Sequence, residues 1–199
     1  MSRTIAILGL SFMLGGCCQP ARVPPGDNSA VVPAFVLEGM RAPGASRAKV
    51  YLDTQGRVIK SAAYVTKAEI PEWVHKLADE KIGAGEDTEY ELEHYPDGDQ
   101  VYEIARKVEG QEIELSVKLD KTLKYIEKPI AEQDIPPAVK SALPTDFTAE
   151  SMGVKEGPGL KQYIFRGKQA GLAVHLILDP AGKLLGNFRV LPGRLEIAR

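Results

Sequence analysis

Apolar and polar residues alternate with a period of two along most of the chain beyond residue 48. Ile113, Leu115, Val117 and Leu119 fall on one side of a stretch, and Glu112, Glu114, Ser116 and Lys118 fall on the other. Leu172, Val174, Leu176 and Leu178 repeat the apolar row nearer the C-terminus. Successive strand residues point to opposite faces, so this pattern predicts strands with one covered and one solvated face. The strands are expected at about 87–95, 100–108, 112–119 and 123–128, and again at about 147–155, 161–168, 172–179 and 183–191. A hairpin over 48–65 precedes them.

The period changes twice. Over Glu69–Ile82, the residues Ile70, Trp73, Val74, Leu77 and Ile82 share a stripe at helical spacing. Over Asp134–Leu143, Ile135, Val139, Ala142 and Leu143 do the same. Pro71 and Pro136 stand near the two starts, where a missing N–H is harmless. Gly83 suits the end of the first helix, and Pro144 stops the second. Trp73 belongs to the first apolar stripe and is expected in the core.

Three segments share a local motif of apolar run, Asp, turn and apolar run. They are centred on Asp53-Thr-Gln-Gly56, Asp120-Lys-Thr and Asp179-Pro-Ala-Gly182. The Asp carboxylate can accept backbone N–H groups of its turn, and Gly accepts positive φ without strain. The second copy lacks the Gly and is expected to turn differently.

These elements give an α+β expectation: a leading β-hairpin plus two helix-then-four-strand antiparallel units. A helix opening with Ile-Pro (Ile70-Pro71, Ile135-Pro136), then strands closing on the apolar–Asp–turn–apolar motif, resembles the PepSY-like family over about Ala48 to Leu191. That resemblance implies the tandem fold of the periplasmic beta-lactamase-inhibitor proteins, and extracytoplasmic binding of a protein partner. It brings no catalytic residues. The chain departs from the pattern in having no helix ahead of its first unit and no dense aromatic row on an exposed strand face.

The N-terminus carries a different signal. Arg3 precedes the apolar run Ile5–Leu14, which is too short to span a bilayer, and Leu14-Gly15-Gly16-Cys17 follows. Small residues before a Cys resemble a bacterial lipobox. The resemblance implies cleavage before Cys17, acylation of its thiol and new amino terminus, and membrane attachment through the lipid. Residue 18 is Cys rather than Asp, which in Gram-negative lipoproteins favours the outer membrane, facing the periplasm. The expected organisation is a signal at 1–16, a lipidated Pro/Gly-rich tether at 17–31, and a leading β unit at 32–66. The two repeat units follow at 67–130 and 131–192, with a tail at 193–199.

Composition narrows the chemistry. Cys17 and Cys18 are the two cysteines, so the sequence beyond the tether has no disulfide, thiol nucleophile or thiolate metal site. A net charge of −2 argues against nucleic acid as the partner. No Gly-x-Ser-x-Gly, His-Glu-x-x-His or phosphate-cradling Gly loop occurs. His75, His94 and His175 share no metal-ligand spacing and read as scattered surface residues, with His175 pointing away from the Leu172–Leu178 row. No cofactor, metal or catalytic residue is expected.

Acid clustering is the one electrostatic signal. Residues 86–120 hold twelve acids against three bases, whereas 151–199 hold eight bases against three acids. Glu89, Glu91 and Glu93 alternate onto one strand face, and Glu112 and Glu114 can join it across a sheet. This set is the candidate partner-binding face. The alternatives are a weak Ca²⁺ site, a solvated face that discourages edge aggregation, or attraction between the two oppositely charged repeats. Tyr51, Tyr90, Tyr102, Tyr125 and Tyr163 lie in candidate strands and could form a binding row.

The expected function is therefore a non-catalytic, lipid-anchored periplasmic module. It engages or inhibits an envelope protein partner through an exposed sheet face. The alternative is a structural or assembly lipoprotein of the outer membrane.

Overall fold

A computed structural model describes residues 33–192. Ten strands follow one another: β1 (Arg47–Leu52), β2 (Val58–Tyr64), β3 (Glu86–His94), β4 (Gln100–Val108), β5 (Gln111–Lys118), β6 (Leu123–Pro129), β7 (Phe147–Gly157), β8 (Leu160–Gln169), β9 (Leu172–Leu178) and β10 (Leu184–Arg189). Three short helices accompany them: α1 (Ala34–Met40), α2 (Glu72–Ile82) and α3 (Pro137–Ala142).

The expected pair of helix-then-four-strand units is not what forms. The strands make a single antiparallel sheet ordered β1 to β10, curled into a half-barrel. Ladders run through the places where separate units would part. Ser61–Tyr64 of β2 pairs with Glu91–His94 of β3, and Ile126–Pro129 of β6 pairs with Gly153–Glu156 of β7. Those hydrogen bonds satisfy strand edges that separate units would leave open. Helices α2 and α3 are excursions within the two long connections β2–β3 and β6–β7, and α1 precedes β1. The curl brings the rings of Tyr51 on β1 and Phe188 on β10 to 6.0 Å, edge to face.

Ala34–Met40, expected to lack a helix, forms α1. Pro33 opens it, and Val36 and Gly39 are buried against β2 and β3. Gly39 is required there, because a Cβ would lie 2.9 Å from His94 Nδ1. Helix α2 begins at Glu72 with Pro71 as its N-cap, and ends at Gly83 with φ 88°. The preceding residues Lys67–Glu69 form a 3-10 turn. The Glu69 carboxylate accepts the N–H of Thr66 and of Gly44, both at 2.8 Å, and so ties this turn to the α1–β1 loop.

Two apolar clusters lie under the helices. Ile70, Val74 and Ala78 pack on Ala63, Ile104, Leu115 and Val117. Ile135 and Val139 pack on Val154, Tyr163, Phe165, Leu176 and Leu178. Each fully buried Leu or Phe contributes about 1.5–3 kcal/mol. Trp73 is half-buried at the first cluster's margin, edge-on to Tyr102 at 6.0 Å. Leu119, assigned to the inward row, lies past the end of β5 and is exposed.

The Asp turns form as the motif implies. Asp53 Oδ1 accepts the N–H of Gln55 and Arg57, and Asp179 Oδ1 accepts those of Ala181 and Lys183, all at 2.9 Å. Gly56 and Gly182 take φ of 79° and 83°. In the second copy Asp120 caps Thr122, and Lys121 takes the positive φ instead, at 70°.

Candidate binding face

Strand alternation divides the sheet. Tyr90, Leu92, Tyr102, Ile104, Leu115 and Ile126 point toward the helices. Their neighbours point into the concavity, where no helix packs among the described residues. Register places Arg47, Tyr64, Glu91, Glu103, Ser116 and Tyr125 in one row across β1 to β6. A second row holds Glu89, Ala105, Glu114, Glu127, Lys155 and Gln162 across β3 to β8.

The five candidate glutamates thus share the concave face, though not as an open acidic patch. Glu91 and Glu93 are buried, Glu89 and Glu114 are half-buried, and Glu112 is exposed. Acids occupy the middle of the sheet, and bases come from both flanks. From the N-terminal flank, Arg47 pairs with Glu89, Lys49 Nζ reaches Glu91 Oε1 at 2.8 Å, and Lys60 pairs with Glu93. From the C-terminal flank, Lys155 Nζ lies 3.1 Å from Glu127 Oε2, and Arg166 Nη1 donates to Glu127 Oε1 at 2.5 Å. Between the acidic segment 86–120 and the basic segment 151–199 the direct contact among the described residues is Arg166 with Glu114, at 3.9 Å.

Tyrosines supply hydroxyls and ring faces. Tyr95 donates to Glu93 Oε2 at 2.7 Å, and Tyr125 donates to Glu103. Lys155 sits 4.0 Å from the centre of the Tyr125 ring, and Lys60 sits 4.4 Å from that of Tyr51. The proposed tyrosine row is split by parity. Tyr51 and Tyr125 line the charged face, whereas Tyr90, Tyr102 and Tyr163 line the helix side.

These surroundings move the carboxyl pKa values in opposite directions. Burial opposes ionisation of Glu93, yet Lys60 and Lys124 overcome it and pull the group down to about 2. Burial, reinforced by Glu93 and Glu91, pushes Glu103 up to about 7. Burial with Glu103 and Glu127 pushes Glu114 up to about 8. Lys49 and Lys60 are held above the usual ammonium range by their carboxylates despite burial. In Lys124 burial wins and the pKa falls.

On this face a cavity of about 180 Å³ is lined by Glu112, Glu114, Glu127, Ser151, Gly153 and Arg166, among others. Gly153 keeps it open, since a Cβ there would meet Glu127 Oε1 at 3.0 Å.

The histidines do not form a scattered surface set. His75 on α2 is buried, edge-on to Tyr90 at 5.7 Å, with its Nδ1 3.6 Å from Asp87. There Arg106, itself buried, donates to Asp87 at 2.5 Å, to Asp79 at 2.6 Å and to the Gly83 carbonyl at 2.8 Å, fastening the C-terminal end of α2 to the sheet. His94 is buried beneath α1. His175 does alternate away from the leucine row, but it is half-buried on the charged face, in register with Arg166 and Phe188.

Glu103, Glu127, Lys49, Lys60 and Arg166 complete the face and were not singled out from sequence. The alternation of Tyr102 and Ile104 with Glu103 was the available signal for Glu103. Cys17, the expected lipid attachment point, and Cys18 lie outside the described residues.

The arrangement defines a curled antiparallel sheet with a helix-covered outer side and a charge-paired concave side. No family model matches the chain, and no curated protein matches it. Among solved structures it is similar to a BLIP-like protein from Bacteroides fragilis. The two share 20% identity and a TM-score of 0.43, over 63% of this chain and 90% of that one.

Proposed function

We propose that this protein is a non-catalytic binding module, held by an N-terminal lipid on the periplasmic side of the outer membrane, that engages a protein partner through the concave face of its sheet. The observation that carries the reading is the concave face itself, on which no helix packs among the described residues. Its charged side chains are already oriented by one another, so a partner meets few groups that must still be ordered, and little binding energy is lost to ordering them. The paired centre provides rigidity, while the rim residues Glu89, Glu112 and Lys168 remain within reach of a partner's surface. The lipobox residues around Cys17 support the anchor, and a tethered module gains effective concentration toward neighbours in the same membrane.

Photo-crosslinking groups at Glu112 and Lys168, in the full lipidated chain in cells, test the binding face. A discrete adduct to one envelope protein, absent when the group is moved to Glu72 or Lys76 on α2, is the expected result. Equal adducts from both sides, or none from the concave side, overturn the reading. Cys17→Ser tests the anchor separately: release from the membrane fraction is expected, and unchanged fractionation refutes the lipid attachment.

A further inference from the structure

The charged face contains an arrangement that pairing alone does not explain. Two pairs of glutamates face each other directly across neighbouring strands: Glu91 with Glu103 on β3 and β4, and Glu114 with Glu127 on β5 and β6. Like charges directly opposite destabilise a sheet, and the penalty grows where water is excluded. In each pair one member has its own close cation. Glu91 has Lys49 at 2.8 Å, and Glu127 has Lys155 at 3.1 Å and Arg166 at 2.5 Å. Among the described residues the other member does not. Glu103 is buried and receives the Tyr125 hydroxyl. Among the described residues Glu114 has only Arg166 at 3.9 Å, a group already committed to Glu127.

We propose that the concave face is a proton-dependent clasp, in which Glu103 and Glu114 each hold a proton and its loss loosens the curl that brings β1 against β10. A protonated carboxyl can sit opposite an ionised one without repulsion, as in any two carboxyls that share a site. On deprotonation the proton passes to solvent, and each pair is left with two negative charges and no new cation.

The groups around both carboxyls set the balance. Glu103 faces Lys60 on β2, Glu91 and Glu93 on β3, and Lys155 on β7, with Tyr125 and Lys124 on β6 beside it. Glu114 faces Glu103, Glu127, Lys155 and Arg166. Burial is the largest influence on each, and it favours the neutral form. The elevated pKa values, about 7 and about 8, agree with the geometry. The link to the curl is spatial. Tyr51 stacks edge-on against Phe188 across the concavity, and Lys60, which faces Glu103, lies over the Tyr51 ring.

The test follows glutamate side-chain carboxyl resonances of the full chain by NMR, together with the Tyr51–Phe188 ring contact, from about pH 5 to about pH 9. Two carboxyls are expected to titrate near 7 and 8, and Glu103→Gln and Glu114→Gln should each remove one of them. The ring contact should weaken in the alkaline half of the range and persist there in the double Gln variant. Titration of all glutamates in the ordinary range below about 5, or a ring contact with the same pH profile in wild type and double variant, overturns the proposal. If the variants fail to fold, wild type decides it: a ring contact that weakens over the range in which the two carboxyls titrate supports the proposal, and one that persists unchanged to about pH 9 overturns it.

Discussion

The two sides of the sheet are made by the same strands and are stabilised by different physics. On the helix side, Leu115, Val117, Phe165 and Leu176 are removed from water under α2 and α3. That stabilisation follows apolar area and barely responds to salt or pH. On the concave side, Glu93 is removed from water just as completely, and Glu103 and Glu127 are also buried. There the desolvation penalty offsets most of the attraction, so the charges fix geometry more than they add stability. The lesson is that burial by itself does not identify what a face contributes; the polarity of what is buried does.

The strongest way to press this comparison is to empty a site on the helix side. Phe165→Ala should cost about 3–5 kcal/mol, unchanged between low and high salt, as read by urea unfolding. A loss that shrank with salt would show that the two sides are not separable.

The next largest effect should come from orphaning a charge on the concave side. Lys60→Met leaves Glu93 buried with Lys124 as its remaining cation, 3.2 Å away, and should cost about 2–4 kcal/mol. Replacing both partners, Lys60→Met with Glu93→Leu, should cost clearly less than the single change. Equal losses in the single and double variants would mean that the pair is a net source of stability.

Acidity should separate the two sides further. Glu103 and Glu114 have folded pKa values above the ordinary 4.5. Their stabilising contribution is therefore complete below that value and is lost as pH rises through about 7 and 8. Glu93 is depressed to about 2, so its contribution is present above 4.5 and lost as pH falls toward 2. Unfolding midpoints should accordingly fall on both sides of mildly acidic pH, and Glu103→Gln should flatten the alkaline limb alone. An unaltered alkaline limb in that variant would remove Glu103 from the account.

The smallest effect belongs to the rim. Arg47→Ala breaks a solvent-exposed pair with Glu89 and should change stability by less than about 1 kcal/mol, vanishing at high salt. A larger, salt-resistant loss would show that the exposed rim behaves like the buried centre.

Much of the local structure was legible in the sequence. The alternation of Ile113 to Val117 marks β5, the stripe through Ile70, Val74 and Leu77 marks α2, and the Asp53 and Asp179 turns form as their residue types require. Ala34–Met40 was not legible as a helix, because seven residues hold too little periodic pattern and α1 depends on packing against β2 and His94. The burial of His75 was equally hidden, since it arises from the contact of α2 with Tyr90 and Asp87 on another element. The candidate glutamates do share one face, as their parity implied, but the cations that pair with Glu89, Glu91 and Glu93, namely Arg47, Lys49 and Lys60, stand far away in the chain.

The sequence by itself determined which residues share a strand face, where the chain turns, and that acids and bases lie in different segments, because each depends on neighbours within a few positions. Only the tertiary structure decided that ten strands join in one curled sheet, that Lys49 meets Glu91 across 42 residues and Arg166 meets Glu127 across 39, and that Glu103 lacks a close cation of its own among the described residues. Those outcomes depend on the register of long-range ladders. A shift of one residue in a ladder turns every side chain of a strand to the opposite face, so which charges meet is settled when the strands pair.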